Sequence, residues 1–432
     1  MGVSFIVMAY NMIDMIWIGQ LGSSAVTAVG TAGLFLNFNF SISSLIYIGA
    51  GIKIAHSVGE GNRSEAKAYA ENALLNVIIL ILSFMCVVLL FEKQLIGFFN
   101  IQDSHINQMA LSYLTIATLG MIASAITLVS MRIFNAHGDS KIPFKITSVG
   151  LILNIILDPI LIFGLLGMPR LGVMGAAIAT VISQFVVMIA MVIILRKRFG
   201  IFSNGYSYNL KYSKALFRIG SPVATQRILF TIISLIIARI VASWGPDAIA
   251  VQRIGLQIES ISYMTAGGVQ GALVAFIGQN FGAKKYLRII KSFFSAIGIS
   301  SLFGLFMSAI LILTPEPIFR VFLQENRVVA LGVNYLMILG VSQLFMILEI
   351  TSTGAFQGLG KTLPPAIISI ILTGARIPMA LALSATALGL NGVWWSITIS
   401  SILKGTIISV MFMIFIYKRR DIINKASKVS HE

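Results

Sequence analysis

The feature that most constrains this chain is a succession of apolar blocks, each close to the thickness of a bilayer and almost free of charge. Residues 77–91 and 178–195 are typical. A helix needs roughly 20 such residues to cross the hydrocarbon core. Of the 432 residues, 57% are hydrophobic and only 11% charged, with a mean hydropathy of +0.93. A soluble domain carries about a quarter charged residues. So few charges cannot cover an aqueous surface, and the lipid bilayer is the solvent the composition requires.

Apolar blocks between charged or Gly/Pro-rich punctuation predict twelve spans: 1–19, 25–55, 68–91, 110–135, 143–166, 173–195, 215–243, 248–280, 291–314, 331–358, 363–386 and 392–417. Alternate connections and the C-terminal tail hold about 20 Lys and Arg, among them Arg63, Lys141, Arg196, Lys197, Arg198, Lys284 and Arg288. The opposite set holds about four: Lys93, Arg170, Arg320 and Arg327. The positive-inside rule then puts the first set and both termini in the cytoplasm of a multi-pass cell-membrane protein. This distribution also accounts for the net charge of +16. A nucleic-acid partner is not indicated, because the basic residues are spread over connections rather than gathered on one face.

The two halves repeat. Leu21-Gly22-Ser23-Ser24-Ala25 matches Trp244-Gly245-Pro246-Asp247-Ala248 at an offset of 223, and Gly61-Asn62-Arg63 matches Gly282-Ala283-Lys284 at 221. The stretch Asn135 to Pro143 matches Gln357 to Pro365 at 222, and Leu171 to Gly175 matches Leu388 to Gly392 at 217. Six spans per half is an even number, so both halves enter the membrane in the same sense. The predicted fold is an all-α polytopic membrane protein, with twelve transmembrane helices in two parallel six-helix pseudo-symmetric lobes. Such lobes handle substrate between them. The expected domains are an N-terminal lobe (1–195), a cytoplasmic linker (196–214), a C-terminal lobe (215–417) and a basic tail (418–432).

Charges inside the apolar blocks are expensive and mark pathways or pairing. The candidates are Asp14, Asp158, Arg227, Arg239, Glu259, Glu349 and Arg376. Asp14 lies near the outer end of the first span, where hydration is an alternative to function. Asp158 lies deeper, with Asn154 one turn before it, and could instead serve backbone loosened by Pro159. At the repeat offsets Asp14 falls opposite Ile237, and Asp158 near Ile377 when Pro159 and Pro378 are aligned. Carboxylates present in one half only favour a specialised site there. Glu259, Glu349 and Arg376 are expected to form a buried ion pair, with a second ionic site as the alternative. Cys86, inside an apolar run, is expected to be a buried, inert thiol.

Several boxes together resemble the multidrug and toxin extrusion (MATE) family. They are Tyr10-Asn11-Met12-Ile13-Asp14, Gly19 with the Leu21 to Ala25 box, the two Gly/Pro loops at 135–143 and 357–365, Asn154 through Asp158-Pro159, and Gly175 to Thr180. The likeness runs through essentially the whole chain. It departs at the start, where family members carry further residues, including a proline, ahead of the position of Met1. The natural chain is therefore expected to begin upstream or to have been trimmed.

The resemblance implies an antiporter that exports small organic, often cationic molecules in exchange for sodium ions or protons by alternating access. It implies a cation or proton site made of the carboxylates Asp14 and Asp158, which would be the metal ligands if sodium is the ion. Asn154 and Thr180 would be neutral oxygen ligands and Tyr10 a hydrogen-bonding neighbour. Trp17, Asn37 and Phe38 are candidates for lining a substrate cavity, with simple packing as the alternative. No cofactor beyond the coupling ion is expected, and a monomer is expected. A lipid-linked saccharide flippase of the same superfamily is the alternative function. An enzyme is not indicated, since no HExxH, P-loop or Ser/His/Asp order is present, and the lack of a P-loop argues against ATP-driven transport.

Overall fold

The computed structural model describes residues 6, 13–99, 101, 103–203, 208–322 and 325–418, apart from the side chains of Ser23 and Asn37. The long helices are α1 (Ser23–Gly59), α2 (Arg63–Leu90), α3 (Ser104–Ala136), α4 (Lys141–Phe163), α5 (Val173–Phe199) and α6 (Leu210–Ala242). They continue with α7 (Pro246–Gly282), α8 (Tyr286–Leu313), α9 (Asn326–Gly340), α10 (Gln343–Gly358), α11 (Leu363–Gly374), α12 (Arg376–Ser384) and α13 (Leu390–Lys418). Among the described residues ten helices are long and apolar enough to cross a membrane, α11 and α12 counting together. The pair α9 and α10, bent by 46°, makes an eleventh span. The expected first span, 1–19, is described from residue 13, and residues 13–19 are helical.

Polarity in these helices is inverted relative to a soluble protein. Leu82, Val87 and Leu90 of α2 and Leu302, Leu305 and Phe306 of α8 are exposed. Ser43, Ser44, Ser130, Thr351, Ser352 and Ser396 are completely buried. Lipid offers no hydrogen bonds, so hydroxyls turn to the backbone and to one another, as Ser130 does to the Ile126 carbonyl at 2.7 Å. Cys86 corrects the sequence-based expectation: it is exposed, among the outward-facing apolar residues of α2. An apolar run predicts removal from water, and in this fold the lipid-facing surface achieves that as well as a core does.

The chain forms two compact units, Gly2–Ala224 and Thr225–Glu432. In the first, α3 lies along both α1 and α5, and α4 packs on α5. Glycine permits the closest approaches, because helices in lipid are held by van der Waals packing of small residues. A Cβ on Gly175 of α5 would stand 2.4 Å from the Leu161 carbonyl oxygen of α4. A Cβ on Gly220 of α6 would stand 2.0 Å from the Leu45 carbonyl oxygen of α1, and one on Gly49 would stand 2.4 Å from the Leu216 carbonyl oxygen.

The start of α6 thus packs with the first unit, and the boundary between the two compact units lies within that helix, just past Pro222. Side chains of α2 hold the connecting segment. Asn76 donates to Ser213 at 2.8 Å, Asn72 accepts from the Asn209 N–H at 2.9 Å, and Glu71 accepts from the Phe202 N–H at 2.8 Å. Asn76→Leu removes one rung and leaves the buried Ser213 hydroxyl with only its 3.4 Å bond to the Asn209 carbonyl. Stability should fall by about 1 kcal/mol, measurable as a lower melting temperature in detergent.

At the start of α4, Asp139 accepts from the Lys141 and Ile142 N–H groups and pairs with Arg198 of α5. Slight burial works against ionisation there. The N–H groups and the guanidinium outweigh it and hold the carboxyl below its usual range.

The second unit repeats the same packing. A Cβ on Gly392 of α13 would lie 2.4 Å from the Leu383 backbone of α12, as Gly175 lies against Leu161 in the first unit. This register joins α4 to α11–α12 at an offset of 222 and α5 to α13 at 217. In this register Asp158 corresponds to Ala380 of the second unit, three residues beyond the Ile377 that alignment of the two prolines gives.

Candidate functional site

The Gly175–Leu161 contact brings the two halves of the candidate site within reach of each other. Leu161 is almost one turn beyond Asp158 on α4, and Thr180 is five residues beyond Gly175 on α5. Asp158 and Asn154 are completely buried. The Asn154 Nδ2 donates to Asp158 Oδ1 at 3.1 Å, and the Thr180 hydroxyl donates to Asp14 Oδ2 at 3.3 Å. The two carboxyls lie close enough to interact electrostatically, and Asn154 lies near both.

Among the described residues, three buried oxygens in this group have no hydrogen-bond donor: Asp14 Oδ1, Asn154 Oδ1 and Asp158 Oδ2. An ionised carboxylate only accepts, so two of them in contact repel unless a proton or a cation lies between. Nor does an ionised Asp158 answer the backbone group freed by Pro159, because that group is a carbonyl and likewise an acceptor. The arrangement can therefore capture one small positive charge. Tyr10 lies outside the described residues.

A cavity of about 300 Å³ adjoins the pair, and Asp14 and Thr180 form part of its wall. Asn39, Ser124, Thr127 and Gln184 supply polar groups, and Leu36, Phe40, Met121 and Met131 supply apolar surface. Asn39 is fixed by donation to Ser124 at 2.6 Å and by acceptance from Ser43 at 3.2 Å. Of the aromatic and amide stretch 34–40, Leu36, Asn39 and Phe40 reach this wall. Phe38 is exposed, and the Asn37 side chain is outside the described residues. Trp17 packs edge-on against Phe163, with centroids 6.1 Å apart, and its buried Nε1 has no partner among the described residues.

The second unit holds a separate buried cluster. Glu349 pairs with Lys404 at 3.0 Å and accepts from Ser369 at 3.0 Å. Arg376 donates to Ser400 and Ser401 at 3.1 and 3.0 Å, with its guanidinium 5.9 Å from the Phe230 ring. Glu259 accepts from Gln343 at 2.9 Å and Tyr335 at 3.3 Å. Of the three residues expected to form an ion pair, Glu349 does so with Lys404, whereas Arg376 and Glu259 rest on neutral groups. The signal that identifies Lys404 is in the sequence: it is a lone cation between residues 390 and 417, in an otherwise uncharged run. Arg227 and Arg239 stand on the exposed side of α6.

The family model MatE matches residues 1–160 and 222–382. A probable multidrug resistance protein NorM of Thermotoga maritima is 29% identical over 98% of this chain and 92% of that protein. An FAD transporter of Shewanella oneidensis is 24% identical, covering 92% of this chain and 89% of that protein. Among solved structures, a MATE protein in complex with MaD3S superposes with a TM-score of 0.89 at 22% identity, covering 98% of this chain and 95% of that one. A MATE transporter of Vibrio cholerae, VcmN, gives 0.87 at 20% identity, covering 96% and 94%. With the family model spanning both units and the fold matching over almost the full length, the chain belongs to the MatE family of multidrug and toxin extrusion transporters.

Proposed function

We propose that this protein is a secondary antiporter of the cell membrane. It exports small organic, often cationic compounds and takes sodium ions or protons inward in exchange. The observation that carries this reading is the set of three donor-less buried oxygens on Asp14, Asn154 and Asp158 beside a partly polar cavity. Hard cations prefer oxygen ligands, and Thr180 adds a hydroxyl oxygen.

Coupling follows from the shared wall. With the pair empty, two adjacent negative charges make the cavity attractive to an organic cation. A captured ion cancels part of that field and weakens the hold on the substrate. In a low-dielectric interior the interaction is several-fold stronger than in water, so one ion suffices to change the affinity. Alternating access then exposes the loaded and unloaded states to opposite sides of the membrane. The multidrug resistance names of several relatives agree with this substrate class.

Everted membrane vesicles test the reading, with ethidium as the transported probe. A sodium gradient or a proton gradient imposed across the membrane should drive uptake, and dissipating that gradient with an ionophore should stop it. Uptake that persists unchanged after both gradients are collapsed would sink the antiport mechanism.

A further inference from the structure

The two units share a register, so each residue of the cavity in the first has a counterpart in the second. The offset of 222 carries Tyr113 to Tyr335, Thr127 to Glu349 and Thr147 to Ser369, and it carries Asn154 of the carboxylate site to Arg376. The offset of 217 carries Gln184 to Ser401 and Val187 to Lys404. In the first unit Tyr113, Thr127, Thr147, Gln184 and Val187 surround open space of about 300 Å³. In the second, the same positions carry the Glu349–Lys404 pair, Ser369, which donates to Glu349, and Ser401, which accepts from Arg376. The groups Glu259, Glu349, Arg376 and Lys404 are all at most 8% exposed. They sum to zero charge, with one carboxylate for each cation.

The carboxylate site itself has no counterpart. Asp14, Asp158 and Thr180 correspond to Ile237, Ala380 and Ile397, which pack in a hydrocarbon cluster with Trp394. The second unit thus has a buried acid at the cavity position, and a cation from its own chain 3.0 Å away.

We propose that Glu349 is a second cation site whose occupant is the Lys404 ammonium, so that the second unit is permanently loaded and only the first exchanges its ion with solution. The geometry of the pair supports this. Glu349 Oε2 faces the ammonium, and its other oxygen accepts from the Ser369 hydroxyl. A free monovalent ion would find the same two oxygens if the lysine chain were cut back. The duplicated fold would otherwise present an acid in each unit and couple two ions. A tethered cation removes one of them from the cycle while keeping the buried acid neutralised.

The test is independent of where the first unit binds its ion when it is made in an Asp14→Asn/Asp158→Asn background. In that background, Lys404→Ala should create cation binding that was absent. The expected result is a rise of several degrees in melting temperature on titration with sodium, lithium or potassium chloride, relative to choline chloride. It should be accompanied by one ²²Na⁺ or one proton bound per protein. Adding Glu349→Gln should abolish both responses. If Lys404→Ala is recovered as a monodisperse protein only in the presence of alkali cation, the proposal is supported. Equal behaviour of Lys404→Ala with and without Glu349→Gln would overturn it. So would failure of the Lys404→Ala/Glu349→Gln protein to fold, since the lysine would then supply something other than a charge.

Discussion

Changing Asp14 and Asp158 together to asparagine should abolish gradient-driven transport while leaving a well-folded protein that melts higher than the parent. Asparagine keeps the size and one acceptor oxygen of aspartate and adds a donor. Among Asp14 Oδ1, Asn154 Oδ1 and Asp158 Oδ2, which lack donors in the parent, the new amides can supply them without a captured ion. Relief of like charges in contact should raise stability, the usual reverse side of a site built for function.

The functional effect is large. Exchange of one monovalent cation for another moves no net charge, so the driving force is the ion's concentration gradient. A tenfold gradient supplies about 1.4 kcal/mol and sustains an accumulation ratio of about ten-fold. Without coupling that ratio falls to one. Ethidium accumulation in everted vesicles and the melting temperature of the purified protein check the two halves of the prediction. Retained accumulation would remove the carboxylate pair from the mechanism, and a lower melting temperature would show that the pair fastens the fold instead.

Gly175→Val should have the largest effect on folding. The added Cβ would lie 2.4 Å from a backbone carbonyl oxygen of α4 and 2.6 Å from its carbon. Backbone cannot swing aside as a side chain can, so α5 must separate from α4. Overpacking alone costs about 1–3 kcal/mol, and valine adds two methyl groups beyond that Cβ. Separation of these helices also moves Thr180 away from Asp14 and the wall of the cavity away from Val187. Fluorescence-detected size-exclusion chromatography should show loss of monodisperse protein, or a strongly lowered melting temperature with no transport. Gly298→Ala on α8 is the control. Nothing lies within 4 Å of its Cβ position, so it should be neutral or stabilising by up to about 1 kcal/mol. Normal folding of Gly175→Val would mean that the α4–α5 contact is looser than these distances require.

Much of this molecule is legible in one dimension because lipid imposes a simple rule on the chain. A stretch that must satisfy its backbone internally while facing hydrocarbon has to be long, helical and apolar, and that requirement can be read one segment at a time. The eleven expected spans from 25 to 417 all fall on helices. The repeat was legible for a related reason: glycines that let backbones touch, such as Gly175 and Gly392, recur at the same place in both halves.

Other features were not legible at that level. Cys86 shows that apolar sequence does not distinguish a protein core from a lipid-facing surface. Glu349 required a partner on another helix, and the choice of Lys404 over Arg376 was made by the way α10, α12 and α13 pack. Phe38 and Phe40 are two residues apart in one helix, yet only Phe40 reaches the cavity.

By itself, the sequence determined the membrane location, the helical segments, the duplication and the absence of acidic counterparts to Asp14 and Asp158 in the second half. These are properties of local composition and of register along the chain. Only the tertiary structure decided that Asp14, Asn154 and Asp158 bring donor-less oxygens together beside a cavity, and that the corresponding positions in the second unit carry an ion pair. Distances between side chains on different helices depend on which backbones approach closely, and that is fixed by packing across the whole unit.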